Sequence, residues 1–315
     1  MKILALLAFW AVAASAQAFP SKPIRLVVPY TPGTGYDSIA RIVGPALSQR
    51  LGQPVVVENM PGASGTLGAG SVARAVPDGH TLATIGEGTM ASGHLYRSLS
   101  FNPLTDFAPI SLAGYGTLLM VASQASGVRS AAELVEKARA QPGKLTFSSP
   151  GVGTSQYLKM ALFLNTAGLD LLHVPYKGSA GAINDLIGGQ VHAGLVPVHA
   201  AMQHVQAGRL VPLAAMAPLR HPVAPEVRTL KELGLPDVDA KLWYAFVAPK
   251  ATPAPIVTRL NTELRAIMDT PDVRTRLERV GLEVHTTSPA ELQAIMQRES
   301  DVALEIVRRN NISLD

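Results

Sequence analysis

Short apolar runs alternate with helical stretches along this chain, and the alternation starts afresh after its middle. Residues 24–29 (IRLVVP) read as a strand, followed by a glycine-rich turn over 31–35 and a helix over 37–51. Strand 55–57, helix 63–75 and strand 81–85 complete the first series. The second runs through strand 118–122, a helix over 130–140 with Ser130 as its N-cap, strand 145–148 and helix 154–167. Strand 173–175, helix 180–188 and strands 193–196 and 210–216 follow, then strand 244–249 and helices over 255–269, 271–280 and 289–310. Such alternation predicts an α/β fold with mostly parallel sheets. Two α/β halves joined by extended strands predict two lobes on a two-strand hinge. Lobe one is expected over 19–113 and 218–315, and lobe two over 114–217, with crossings near Gly114 and Ala217. Ligands of open α/β sheets sit beyond the carboxyl ends of the strands, which puts the site in the cleft between lobes.

The N-terminus carries an address. Lys2 precedes an apolar run over 3–14, and Ala16-Gln17-Ala18 supplies the small-x-small pattern of a signal-peptidase site. The run is shorter than the ~20 residues a membrane span needs. Residues 1–18 are therefore expected to be a cleaved signal peptide, with the mature chain exported and beginning near Phe19. No later stretch is long and apolar enough to span, so a soluble mature protein is expected. There is no cysteine, which excludes disulfides, thiol catalysis, thiolate metal sites and a lipid-modified cysteine at the cleavage point. An exported chain without staples must rely on its core, and 315 residues less a leader of 18 suffice for one. The formal charge of +4 falls to +3 when Lys2 leaves; no block of like charge interleaves with aromatics, so nucleic-acid binding has no support.

Several segments are recognisable in order. They are KPIRLVVPYTPGTGYDSIAR (22–41), LGQPVVVENMPGASGTLGA (51–69), PDGHTL (77–82) and PLTDFAPIS (103–111), then PGKLTFSSPGVGTS (142–155), HVPYKGSAGAINDLIGGQV (173–191) and LWYAFVAPKATPAPIVTRLN (242–261). Together they resemble the Bug family, periplasmic receptors of tripartite tricarboxylate transporters, over almost the whole mature chain. The resemblance implies a type II periplasmic-binding-protein fold of two α/β lobes with a deep cleft. It implies a small carboxylate ligand, integral-membrane transporter components as partners, and no cofactor or metal. A monomer is expected. A receptor reporting its ligand to a membrane signalling partner shares fold and pocket and is the alternative.

Four segments are candidates for binding. In the first, Tyr30 to Asp37, glycines between a strand and a helix let backbone approach a ligand, and the helix N-terminus presents free N–H groups. The Gly35 and Tyr36 amides and the Thr34 hydroxyl are expected to hold a carboxylate, with Tyr30 beside them; Asp37 is expected to cap the helix. Thr34 stands where the family usually has glycine. The second, SSPGVGTSQ (148–156), repeats the design in lobe two, with Ser149, Gly153, Thr154 and Ser155 as contacts. The third contributes Tyr176 and Ser179 at a strand-to-helix junction, with Lys177 either offering charge or standing in solvent. The fourth is IGEGT (85–89). Glu87 departs from the family's small polar residue; facing the ligand it would favour an amine, amide or hydroxyl, but solvent is its expected place. Val196 stands where the family has an acidic or amide residue.

Chemistry has little to stand on. His192, His199 and His204 show no metal spacing and read as surface or core histidines. GASGT around Ser64 is no nucleophile elbow, Glu58 and Asp78 have no visible partner, and no phosphate loop is present, so no enzyme is expected.

Overall fold

The computed structural model describes residues 19–238, 240–310 and 312–314. The expected leader, residues 1–18, lies outside the described residues. In chain order the elements are β1 (Ile24–Val28), α1 (Gly35–Leu51), β2 (Val55–Asn59), α2 (Thr66–Ala73), β3 (Thr81–Ile85), α3 (Glu87–Leu95) and β4 (Phe107–Gly116). Then come β5 (Leu118–Ser123), α4 (Ala131–Ala140), β6 (Thr146–Ser149), α5 (Ser155–Ala167), β7 (Leu172–Pro175), α6 (Ser179–Ile187), β8 (Ala193–Pro197), α7 (Val198–Gln206) and β9 (Leu210–Ala215). The chain closes with β10 (Leu242–Pro249), α8 (Ala254–Met268), α9 (Pro271–Arg279), β11 (Leu282–Val284) and α10 (Pro289–Arg309). Among the described residues no helix is long and apolar enough to cross a membrane.

The strands form two sheets, ordered β11-β4-β10-β3-β1-β2 and β7-β6-β8-β5-β9. Both are mixed, which corrects the expectation of mostly parallel pairing. β1 pairs in parallel with β2 and β3, but β10 runs antiparallel between β3 and β4. In the second sheet β6 pairs in parallel with β7 and β8, while β5 runs antiparallel to β8 and β9. The physical reason is the two crossings. Each brings the chain into a sheet from the other lobe rather than over a covering helix, so the entering strand is free to run antiparallel.

Both faces of each sheet are covered, which explains the near-continuous apolar runs. In β5, Leu118, Met120 and Ala122 pack with Leu134 of α4 and Phe163 of α5. Leu119 and Val121 pack on the opposite face with Leu186 of α6 and Met202 of α7. In the first sheet Leu26 joins Ile39 of α1 and Leu260 of α8, while Val27 joins Val72 of α2 and Met296 of α10.

β4 runs on through Gly116, and only Thr117 separates it from β5. Beyond Ala217 the chain stays beside the second sheet for a time: Ala224 and Val227 pack in the β5–α6–α7 cluster, and Thr229 bridges Ala215. We place the second crossing between Thr229 and Leu242. At its end Leu242 pairs with Gly116, so the two crossings lie side by side. Gly114 turns out to serve a β-bulge instead: the register against β10 shifts between Tyr244 and Ala245, and Gly114 has φ +152°. A Cβ there would collide with the Glu283 carbonyl of β11. Replacing Gly114 with alanine should therefore cost about 2 kcal/mol or more, read as a lower midpoint in urea unfolding; a parental midpoint would show that the bulge tolerates a side chain.

Candidate ligand-binding cleft

The same turn is built twice, once in each lobe. Gly33 has φ +83°, and Thr34 follows in an extended conformation as N-cap of α1. Gly153 also has φ +83°, and Thr154 follows in an extended conformation as N-cap of α5. The Thr34 hydroxyl donates to the Thr31 carbonyl at 3.2 Å, and the Thr154 hydroxyl donates to the Gly151 carbonyl at 2.7 Å. A positive φ at this step suits glycine, which turns each strand exit back into its helix. The first-turn N–H groups of both helices, at Gly35 and Tyr36 and at Ser155 and Gln156, have no acceptor within their own helix.

Asp37 braces the first turn from behind rather than capping by itself. Its carboxylate accepts from the Gly33 amide at 3.0 Å, from Arg41 Nε at 2.9 Å and from Asn59 Nδ2 at 2.9 Å. Burial pushes its pKa up, but these donors outweigh that and hold it below the usual carboxylate range. Gly35 has a second reason to be glycine: a Cβ there would lie 2.5 Å from the Tyr244 hydroxyl.

The two turns face each other across a cavity. Its lining brings together Tyr30, Thr34, Gly35, Tyr36, Thr154, Ser155 and Ser179 from the sequence-derived candidates. Tyr30 stacks on Tyr36 with ring centroids 4.4 Å apart, and Tyr36 meets Tyr244 edge-on at 4.7 Å. Burial, reinforced by the charge of Glu87, pushes the Tyr30 hydroxyl up to about 12 and raises Tyr36 and Tyr244 as well, so all three stay protonated. An outer chamber of about 480 Å³ shares Tyr30, Thr34, Thr154 and Ser179 with this cavity and adds Tyr176, whose hydroxyl donates to Asp185 at 2.7 Å. Lys177 is exposed at its rim.

Three candidates lie behind the cavity wall. Ser149 is buried and bonds His173 Nε2 at 2.7 Å; burial pushes that imidazole down to about 4. Gly153 faces the other lobe, since a Cβ there would meet Leu95 of α3 and Leu314. Glu87 is not in solvent: it begins α3, is 5 % exposed, and its carboxylate lies 3.9 Å from Lys159 Nζ of α5, itself 6 % exposed. This buried ion pair joins the lobes, beside the apolar contact of Ala91 and Leu95 with Leu158 and Ile306. Ser64 adds a third link by donating to the Val152 carbonyl at 2.6 Å.

The cavity also has walls that sequence reasoning missed, among them Ile183, Pro197, His199, Leu242 and Tyr244. Tyr244 carried a signal, because a hydroxyl inside an otherwise apolar strand needs a reason to be there. His199, read as an ordinary surface or core residue, is half-buried at the start of α7.

Comparison with known proteins fixes the lineage. A sequence profile described as tripartite tricarboxylate transporter family receptor matches residues 39–312. The chain belongs to this receptor family. The receptor is 32 % identical to protein BugT of Bordetella pertussis over 302 residues, covering 95 % of this chain and 93 % of that one. Its fold matches Rpa4515 of R. palustris, solved with adipate, at a TM-score of 0.89 and 31 % identity, covering 94 % of this chain and 99 % of that one. MatC of Rhodopseudomonas palustris, solved with bound malate, matches at 0.84 and 32 % identity, covering 92 % and 100 %. The type II two-lobe fold and the family expected from the sequence hold, and the family is a class of solute-binding receptors.

The buried ion pair generates a prediction. Lys159→Met takes away the cation opposite a buried carboxylate and should destabilise the ligand-free receptor by about 3 kcal/mol. Adding Glu87→Gln should restore most of the loss in urea unfolding at neutral pH. If Lys159→Met alone is as stable as the parent, the pair does not hold the lobes.

Proposed function

We propose that this receptor is exported to the periplasm, closes its lobes on a small carboxylate-bearing metabolite and hands it unchanged to the membrane components of a tripartite transporter. The observation that carries this reading is the twin turn. Two helix N-termini, one from each lobe, meet at one cavity with their first-turn amides and the Ser155 hydroxyl. Such an N-terminus has the partial positive charge and directed donors that an anion needs. A ligand touching both turns makes more contacts when the lobes are together, and only that difference in affinity can drive closure. Rpa4515, solved with adipate, and MatC, solved with bound malate, support this reading.

A thermal-shift panel of acetate, succinate, malate, adipate and benzoate, taken on the purified mature protein, tests the reading. At a hundredfold excess over Kd, an acid that fits should add about 2.7 kcal/mol of stability. Ser155→Ala removes one hydroxyl donor from the cavity and should weaken that acid by about 1–2 kcal/mol in calorimetry. An unshifted melting temperature with all five acids would sink the carboxylate assignment.

A further inference from the structure

The twin turns supply dipoles but no formal charge, which makes the ionisable side chains around the cavity informative. Among the described residues that line it, Tyr30, Tyr36 and Tyr244 keep their protons. The one other titratable side chain in the lining is His199, and imidazole is the group whose charge changes near neutrality. His199 sits in the first turn of α7, fixed at the crossing because the neighbouring Val198 amide donates to the Thr117 carbonyl at 2.9 Å. It also lines the small cavity between the crossings, with Gly116, Thr117, Tyr244 and Gly281. Its Nδ1 lies 3.4 Å from where a Cβ on Gly281 would stand, and Gly281 has φ +75°.

The charged and titratable groups around the ring are few. Tyr36 of α1 and Tyr244 of β10 face it across the cavity and are neutral. Burial holds the His199 pKa below its ordinary value, and the neighbouring His221 lowers it further. His221 is itself lowered by burial; Glu283 of β11 works against that and Lys241 with it. Glu283 and Lys241 pair with each other at 3.2 Å. The N-terminal end of α7 also disfavours a cation. The ring is therefore neutral in the empty receptor at neutral pH.

We propose that His199 takes up a proton from solvent when an organic acid occupies the cavity, so that capture is proton-coupled and strengthens on the acid side of neutrality. This rests on the carboxylate reading above. The ligand brings a negative charge into a poorly solvated space whose lining otherwise has no formal charge among the described residues, and that charge favours imidazolium. The sign follows. The bound receptor holds the proton more tightly than the empty one, so affinity rises as pH falls through the bound-state pKa of His199. It levels off below the empty-state pKa, with at most one proton taken up.

Calorimetry with acetate, succinate, malate, adipate and benzoate, each in two buffers of different ionisation heat, counts the protons. The parent should take up a large fraction of one proton per ligand near pH ~6.5 and bind on the order of tenfold tighter at pH ~6 than at pH ~8. His199→Gln should take up none and bind equally at both pH values. Binding without proton uptake, or equal uptake by His199→Gln, overturns the proposal and leaves the carboxylate reading standing. Binding of none of the five acids overturns both. Should His199→Gln fail to fold, a histidine NMR titration of the parent decides: the His199 pKa must rise when the acid is added.

Discussion

A helix cannot satisfy the amides of its own first turn, and this receptor's cleft is organised around that fact. Gly33 and Gly153, both at φ +83°, return two strand exits into α1 and α5, and the first turns of both helices line one cavity. Everything behind the turns keeps them in place. Asp37 ties the first to Asn59 of β2, and the threonine hydroxyls pin each turn to its own carbonyl. The sheets that carry them are buried on both faces, so neither turn can shift without disturbing a packed layer. Since most donors are backbone, the site depends on main-chain geometry more than on side-chain identity.

Those turns were legible because glycine and hydroxyl residues between an apolar run and a helical stretch have a local physical meaning. The boundaries of most helices and strands followed for the same reason, and Ser130 does cap α4, accepting from the Glu133 amide. What stayed hidden is non-local. β4 carries a proline, Pro109, and a bulge, so its period is broken, and it becomes a strand by pairing with β10 across a long gap in sequence. β11 is only Leu282–Val284, too short to show a period, and exists by pairing with β4. α3 has a weak apolar stripe and is buried by neighbours from both lobes. Glu87 illustrates the limit best. Its sequence context suggested solvent; the approach of Lys159, from the other lobe, supplies a cation beside the buried carboxylate.

The lobes meet through unlike materials. α3 and α10 of the first lobe and α5 of the second share an apolar seam, while Ser64 and Lys159 contribute polar links at its edges. The Ser64 link comes from an unusual stretch. Gly62, Ala63, Ser64 and Gly65 all have positive φ, two of them without being glycine, so this rim carries backbone strain where it touches the other lobe.

The neighbouring crossings have a mechanical consequence. Gly116 and Leu242 pair where the two connecting segments lie together, and Leu242, Tyr244, Pro197 and His199 at that spot are also walls of the cavity between the turns. In the proposed binding mode the cargo sits at the fulcrum of a lever whose arms are the lobes. A displacement of a fraction of an ångström there is multiplied at the far rims, so an occupied receptor announces itself by the spacing of surfaces that never touch what it has captured.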